Sequence, residues 1–208
     1  MTTQLTMAKC FGLACALALV PGMAAATSAP DYVRVRAITY AGSGCPAGSV
    51  AKNISPDKQA FTLLFDEYVA EAGPGVLLAA GRKNCAINID LDFPQGWSFT
   101  IFDVDYRGYV LLDRNVTGTQ KSSYYFQGGT GPSLAATLNG PQNKDYHYRD
   151  TLLVTAEVWS PCGATRSLNI NSQVRVDNTR NRFAQGLMTV DSIDGQLTHI
   201  YGLKWRRC

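Results

Sequence analysis

The sequence predicts an all-β protein: a single-domain, disulfide-stapled antiparallel β-sandwich that is secreted. Three observations predict it. Apolar and polar residues alternate at period two along most of the chain, the repeat of strands with one buried face. Turn signals rich in Gly and Pro punctuate these runs. An apolar leader precedes an even set of cysteines, as in an exported chain whose disulfides form in an oxidising compartment.

The alternation is clearest where Cys85, Ile87, Ile89 and Leu91 share one face and Ala86, Asn88, Asp90 and Asp92 the other. Val33 and Val35 alternate with Arg34 and Arg36 in a first strand. Trp97, Phe99 and Ile101 alternate with Ser98 and Thr100, and the phase slips at Phe102–Asp105, the mark of a bulge or bend. Further runs are Leu152–Val158, Leu168–Asn171, Gln173–Val176 and Leu197–Trp205. Turns are expected at Gly42-Ser43-Gly44, Gly73-Pro74-Gly75, Pro94-Gln95-Gly96, Gly128-Gly129 and Gly140-Pro141. Asp194-Gly195 reads as a hairpin joining Leu187–Val190 to Leu197–Trp205. Residues 66–80 come nearest to a helical stripe, but Gly73-Pro74-Gly75 interrupts them. Short strands between polar turns, with no repeat and no linker, make a sandwich the expected architecture.

In the leader, Lys9 is the only charge before Asp31, the apolar run Cys10–Val20 follows, and Ala24, Ala25 and Ala26 provide a small-residue cleavage site. Residues 1–26 are expected to be a signal peptide and residues 27–208 the secreted domain. The apolar run is shorter than the ~20 residues a bilayer crossing needs. Losing Lys9 lowers the formal charge from +3 to +2, too weak a balance for a nucleic-acid partner. The expectation is therefore a monomer with neither nucleic acid nor membrane insertion.

Cleavage leaves Cys45, Cys85, Cys162 and Cys208, which allow three pairings; joining sequence neighbours gives Cys45–Cys85 with Cys162–Cys208. No two of them stand at CxxC spacing, and His147 and His199 are the only histidines, so neither a metal nor another cofactor is expected. Asn53-Ile54-Ser55 and Asn115-Val116-Thr117 are N-glycosylation sequons in a eukaryotic host and meaningless triplets in a bacterial one.

Several strings together carry a resemblance: Gly44-Cys45-Pro46-Ala47-Gly48-Ser49-Val50, Arg82-Lys83-Asn84-Cys85, Trp159-Ser160-Pro161-Cys162-Gly163, Leu168-Asn169-Ile170-Asn171 and Tyr201-Gly202-Leu203-Lys204-Trp205-Arg206-Arg207-Cys208. In this order they resemble the secreted family known as domain of unknown function 4360, over nearly the whole chain after the leader. The resemblance supports secretion and the cysteine framework, and it implies no catalytic residue.

Four residue sets carry possible chemistry. Two carboxylates from Asp90, Asp92, Asp103 and Asp105 on neighbouring strands would suit glycoside hydrolysis, while the plainer reading is a solvated strand face. His147, within Asp145-Tyr146-His147-Tyr148-Arg149-Asp150, has acids beside it but no nucleophile elbow, and the plainer reading of this stretch is a polar loop before a strand; Ser192 lacks that context and His199 alternates with core residues. Tyr124, Tyr125, Tyr146, Tyr148, Trp97 and Tyr106 can form a platform for sugar rings. Of these, Tyr124, Tyr125, Tyr146 and Tyr148 lie nearest Gly-rich loops and are the expected binding residues. Arg180, Arg182, Lys204, Arg206 and Arg207 offer a basic patch, more plainly a solvated rim. With no catalytic signature, the sequence points first to a non-catalytic extracellular module binding a glycan or cell surface. The alternatives are a glycan hydrolase using a carboxylate pair and a secreted factor binding a host or competitor protein, the last requiring an exposed apolar patch.

Overall fold

The computed structural model describes residues 30–32, 34–54, 56, 60–151, 159–162, 167–190 and 197–208. The leader, the run Leu152–Val158 and the turn Asp194-Gly195 lie outside the described residues.

The described strands are β1 (Arg34–Ala41), β2 (Val50–Ile54), β3 (Ala60–Phe65), β4 (Val69–Ala72), β5 (Arg82–Asp92), β6 (Trp97–Leu112), β7 (Thr117–Phe126), β8 (Ser133–Asn139), β9 (Gln142–Thr151), β10 (Leu168–Asp177), β11 (Gly186–Thr189) and β12 (Leu197–Arg207). All pairings given are antiparallel, as expected. Residues 66–80 form no α-helix; a short 3-10 turn, Leu78–Gly81, leads into β5.

One sheet has the order β1-β5-β10-β7-β8. The other is organised by the long strand β6. β9 pairs with Asp103–Leu112 of β6 and β12 with Trp97–Tyr106, and the overlap puts these two partners on opposite edges. β11 pairs with Val110–Leu112, where β9 already occupies one edge, so β11 shares the edge of β12. β3 and β2 continue outward from β12, and β4 from β11. This corrects the expected hairpin. β11 and β12 run in the same direction, end to end along β6, because both are antiparallel to it.

The phase slip in β6 is real. Tyr201 opposes Val104 and Leu203 opposes Ile101, so β6 carries one extra residue at Phe102–Asp103 opposite Gly202. β10 merges the two expected runs 168–171 and 173–176: Leu168, Ile170, Ser172, Val174 and Val176 all face inward.

The two sheets close over one core. Ile87, Ile89, Leu168, Ile170 and Val174 of the first sheet meet Leu63, Phe65, Phe99, Val110 and Met188 of the second. Phe99 of β6 contacts Phe126 of β7 edge-on, with ring centroids 5.2 Å apart. The cysteines pair as sequence neighbours: Cys45–Cys85 spans a Cα–Cα distance of 5.5 Å and Cys162–Cys208 one of 5.8 Å. Beside the second bridge, Ser160 lies along the edge of β6 beyond β9: its N–H donates to Phe99 O at 2.9 Å and its Oγ accepts from Phe99 N–H at 3.0 Å.

Candidate functional site

The outer face of the five-stranded sheet carries a valley whose shape follows from register. Ala41, Ala86, Asn171, Ser123 and Ser133 lie opposite one another across all five strands, so four of five positions in this row are short. Two residues further along the strands, Thr39, Asn88, Asn169 and Tyr125 form one wall. Two residues the other way, Asn84, Gln173 and Lys121 form the second. Strands lie about 4.8 Å apart, so a row across five strands runs roughly 19 Å. Two depressions of about 300 and 270 Å³ occupy this face and share Ala86 and Asn171.

The walls are dense in amides, several of them held by hydrogen bonds. Asn88 Nδ2 donates to Asn169 Oδ1 at 2.9 Å, and Asn171 Nδ2 donates to the Tyr125 hydroxyl at 3.3 Å. Ser43 Oγ donates to Asn84 Oδ1 at 3.3 Å. Each amide offers two N–H donors and a carbonyl acceptor, which adjacent sugar hydroxyls can match. Tyr125 adds a partly exposed ring. Arg82 and Lys121 bring positive charge to one depression.

The tyrosines predicted to bind together are separated by strand geometry. Tyr124 and Tyr125 are consecutive on β7 and so point to opposite faces: Tyr124 is 3% exposed in the core, and Tyr125 faces the valley. The stretch Asp145–Asp150 is not the expected polar loop but part of β9, paired along β6, so Tyr146 and Tyr148 stand two apart on one strand and share the inward side. Tyr146 is 6% exposed and its hydroxyl donates to the Thr189 carbonyl. Tyr148 is half-buried against the core, and that burial raises its phenol pKa. Trp97 and Tyr106 are also buried. The expected platform of Tyr124, Tyr125, Tyr146 and Tyr148 therefore reduces to Tyr125.

The aspartates are dispersed as well. Asp90 belongs to the outer face of the first sheet, where Arg36 Nε lies 3.4 Å from its carboxylate, and Asp92 follows on the same side of β5. Asp105 belongs to the second sheet, buried beside His147, whose Nε2 lies 2.7 Å from its Oδ1. The sandwich thus separates Asp90 and Asp92 from Asp105, and the side chains of Asp103 and His199 lie outside the description. The arginines fall at opposite ends of β6. Arg206 stacks over Trp159 at 4.2 Å and Arg207 over Trp97 at 5.0 Å, whereas Arg180 and Arg182 lie in the β10–β11 loop; the Lys204 side chain is outside the description. Among the described residues, no three His, Cys, Asp or Glu side chains gather to hold a metal. No described helix is long and apolar enough to cross a membrane. Asn53 and Asn115 are both exposed, the latter at φ 67° in the β6–β7 turn.

Asn88, Asn169, Asn171 and Gln173 were not among the expected site residues. The alternation placed several of them on polar strand faces, but only the cross-strand register shows that Asn171 stands in a row of Ala and Ser that Asn88, Asn169 and Gln173 flank.

Comparison with known proteins places the chain. Residues 31–208 match the family described as "Domain of unknown function (DUF4360)", and the chain belongs to that family. A relative from Arthroderma benhamiae, named "Uncharacterized secreted protein", is 49% identical over 180 residues, 86% of this chain and 73% of the relative. The chain is accordingly a secreted protein. Among solved structures, TmCBM61 in complex with beta-1,4-galactotriose aligns with 84% of this chain and 90% of its own, at 10% identity and a TM-score of 0.26. The enzymatically active domain of Bacteriophage CBA120 tailspike protein 4 aligns with 82% of this chain and 19% of its own, at 15% identity and a TM-score of 0.26.

Proposed function

We propose that this secreted protein is a non-catalytic glycan-binding module and that it binds along the valley on the outer face of the five-stranded sheet. The observation that carries the reading is the valley itself: a floor of Ala41, Ala86, Asn171, Ser123 and Ser133 between walls of Asn88, Asn169 and Tyr125 on one side and Asn84 and Gln173 on the other. A sugar chain presents hydroxyls at its edges and C–H surfaces on its ring faces. Amides answer the first and the tyrosine ring the second. Asn88 bonds Asn169 at 2.9 Å, and Asn171 and Asn84 bond the hydroxyls of Tyr125 and Ser43 at 3.3 Å, so at these amides a ligand meets a preformed surface and little side-chain entropy is lost on binding.

Depletion of the purified protein from solution by insoluble polysaccharides, with the supernatant assayed for released sugar, tests this. The proposal expects depletion without release, weakened by Tyr125→Ala. Released oligosaccharide would make it a hydrolase instead. Binding that Tyr125→Ala leaves intact would move the site off this face.

A further inference from the structure

One end of the sandwich bears the most exposed apolar side chains of the described residues. Leu78 is 89% exposed, Phe183 88% and Leu77 79%. Leu77 and Leu78 stand in the β4–β5 connection, and Phe183 in the β10–β11 connection. These connections are neighbours by construction: β4 pairs with β11 through Ala72 and Gly186, and β5 pairs with β10 through Arg82 and Arg175. Each therefore crosses between the sheets at the same end, and Gly73 lies against Gln185 where they meet.

Neither loop is exposed for want of order. Residues 73–81, Gly-Pro-Gly-Val-Leu-Leu-Ala-Ala-Gly, contain no polar side chain, and Val76 N–H donates to Gly73 O and Ala80 N–H to Leu77 O. In the other loop Asn178 Nδ2 donates to the carbonyls of Arg182 and Ala184, Thr179 N–H donates to Asp177 Oδ1, and Gln185 N–H to Asp113 Oδ2. These bonds hold Phe183 outward. The surrounding charge is asymmetric: Arg82, Arg114, Arg180 and Arg182 are exposed here against Glu71 and Asp113.

We propose that this end is a lipid-binding tip, seating Leu77, Leu78 and Phe183 in the headgroup boundary of an anionic membrane while the arginines meet lipid phosphates and carboxylates. Apolar side chains with flanking cations are the chemistry of interfacial binding. A loop free of polar side chains, with the Val76 and Ala80 N–H groups paired within it, has less to desolvate on entry. Specific protein interfaces bury about 800 Å² on each partner; three side chains on two projecting turns suit shallow insertion better than a flat partner. The tip lies at the end of the sandwich, away from the centre of the valley, so it stands or falls independently of glycan binding.

Co-sedimentation with vesicles tests it, using residues 27–208 refolded from bacterial expression so that Asn115 at this end carries no glycan. The protein should pellet with phosphatidylcholine–phosphatidylserine vesicles and stay in solution with phosphatidylcholine alone. Leu78→Asp and Phe183→Asp should each cut the bound fraction about tenfold, and the pair Arg180→Glu with Arg182→Glu should abolish the phosphatidylserine dependence. Melting temperatures should not change, since these side chains are exposed. Failure to pellet with the anionic vesicles would overturn the proposal and leave the tip to a protein partner. Pelleting that Leu78→Asp and Phe183→Asp leave unchanged would overturn it too, since charge alone would then explain the binding.

Discussion

Tyr124 and Tyr125 show how sharply one residue's position divides structure from surface. Tyr124→Ala removes a buried ring and is expected to cost about 3–4 kcal/mol, read from urea unfolding. Tyr125→Ala should change stability by less than ~0.5 kcal/mol and act on binding instead. Asp177 works at the same scale. Hydrogen bonds from the side chain and backbone of Thr179, with the Arg175 guanidinium nearby, hold its carboxyl below the ordinary value of 3.8. A depressed acid stabilises the fold fully above its unfolded pKa, and that contribution fades as pH falls through the folded value. The group is mostly solvated, so Asp177→Asn should cost no more than ~0.5 kcal/mol at neutral pH. Unfolding measured across pH should show parent and variant converging in acid below that range; a constant gap would assign the loss to packing.

At the scale of elements, the place where β6 meets β9 beside the end of β11 leaves no room for a side chain. Gly108 opposes Tyr146, and a Cβ there would collide with the Thr189 carbonyl oxygen and the Tyr146 hydroxyl. Gly108→Ala is expected to cost about 1–3 kcal/mol in thermal or urea unfolding. The Cys162–Cys208 bridge closes a loop of sequence separation 46, worth about 4 kcal/mol by loop-closure entropy. Joint replacement of both cysteines by Ala should lower stability by that order and reduce secreted yield; an unchanged melting temperature would contradict it. Strands whose inward side chains are apolar were legible in sequence: β5 and β10 show it plainly. β7 was not, because its inward row is Gly118, Gln120, Ser122, Tyr124 and Phe126, and the buried Gln120 amide is satisfied by Ser122 at 3.1 Å. The supposed hairpin failed for another reason. A Gly-containing turn between two apolar runs marks a break in the chain, whereas their pairing depends on β6, distant in sequence.

For the whole molecule, the two broad faces and the one end differ in chemistry. The first sheet offers amides over a small-residue valley, the second seats Asp105 and His147, and the loops at one end expose leucine and phenylalanine. The sequence showed which residues alternate but not which stand side by side across five strands. For that reason the expected site of Tyr124, Tyr125, Tyr146 and Tyr148 shrank to one ring and gained Asn88, Asn169, Asn171 and Gln173. The central claim is that glycan lies over Ala86 at the valley floor. The most direct measurement compares polysaccharide depletion of the parent with Ala86→Trp, which fills the valley from an exposed position, and with His147→Ala on the other sheet. The account predicts that Ala86→Trp loses binding at unchanged melting temperature while His147→Ala keeps it; retained binding by a folded Ala86→Trp variant would contradict it.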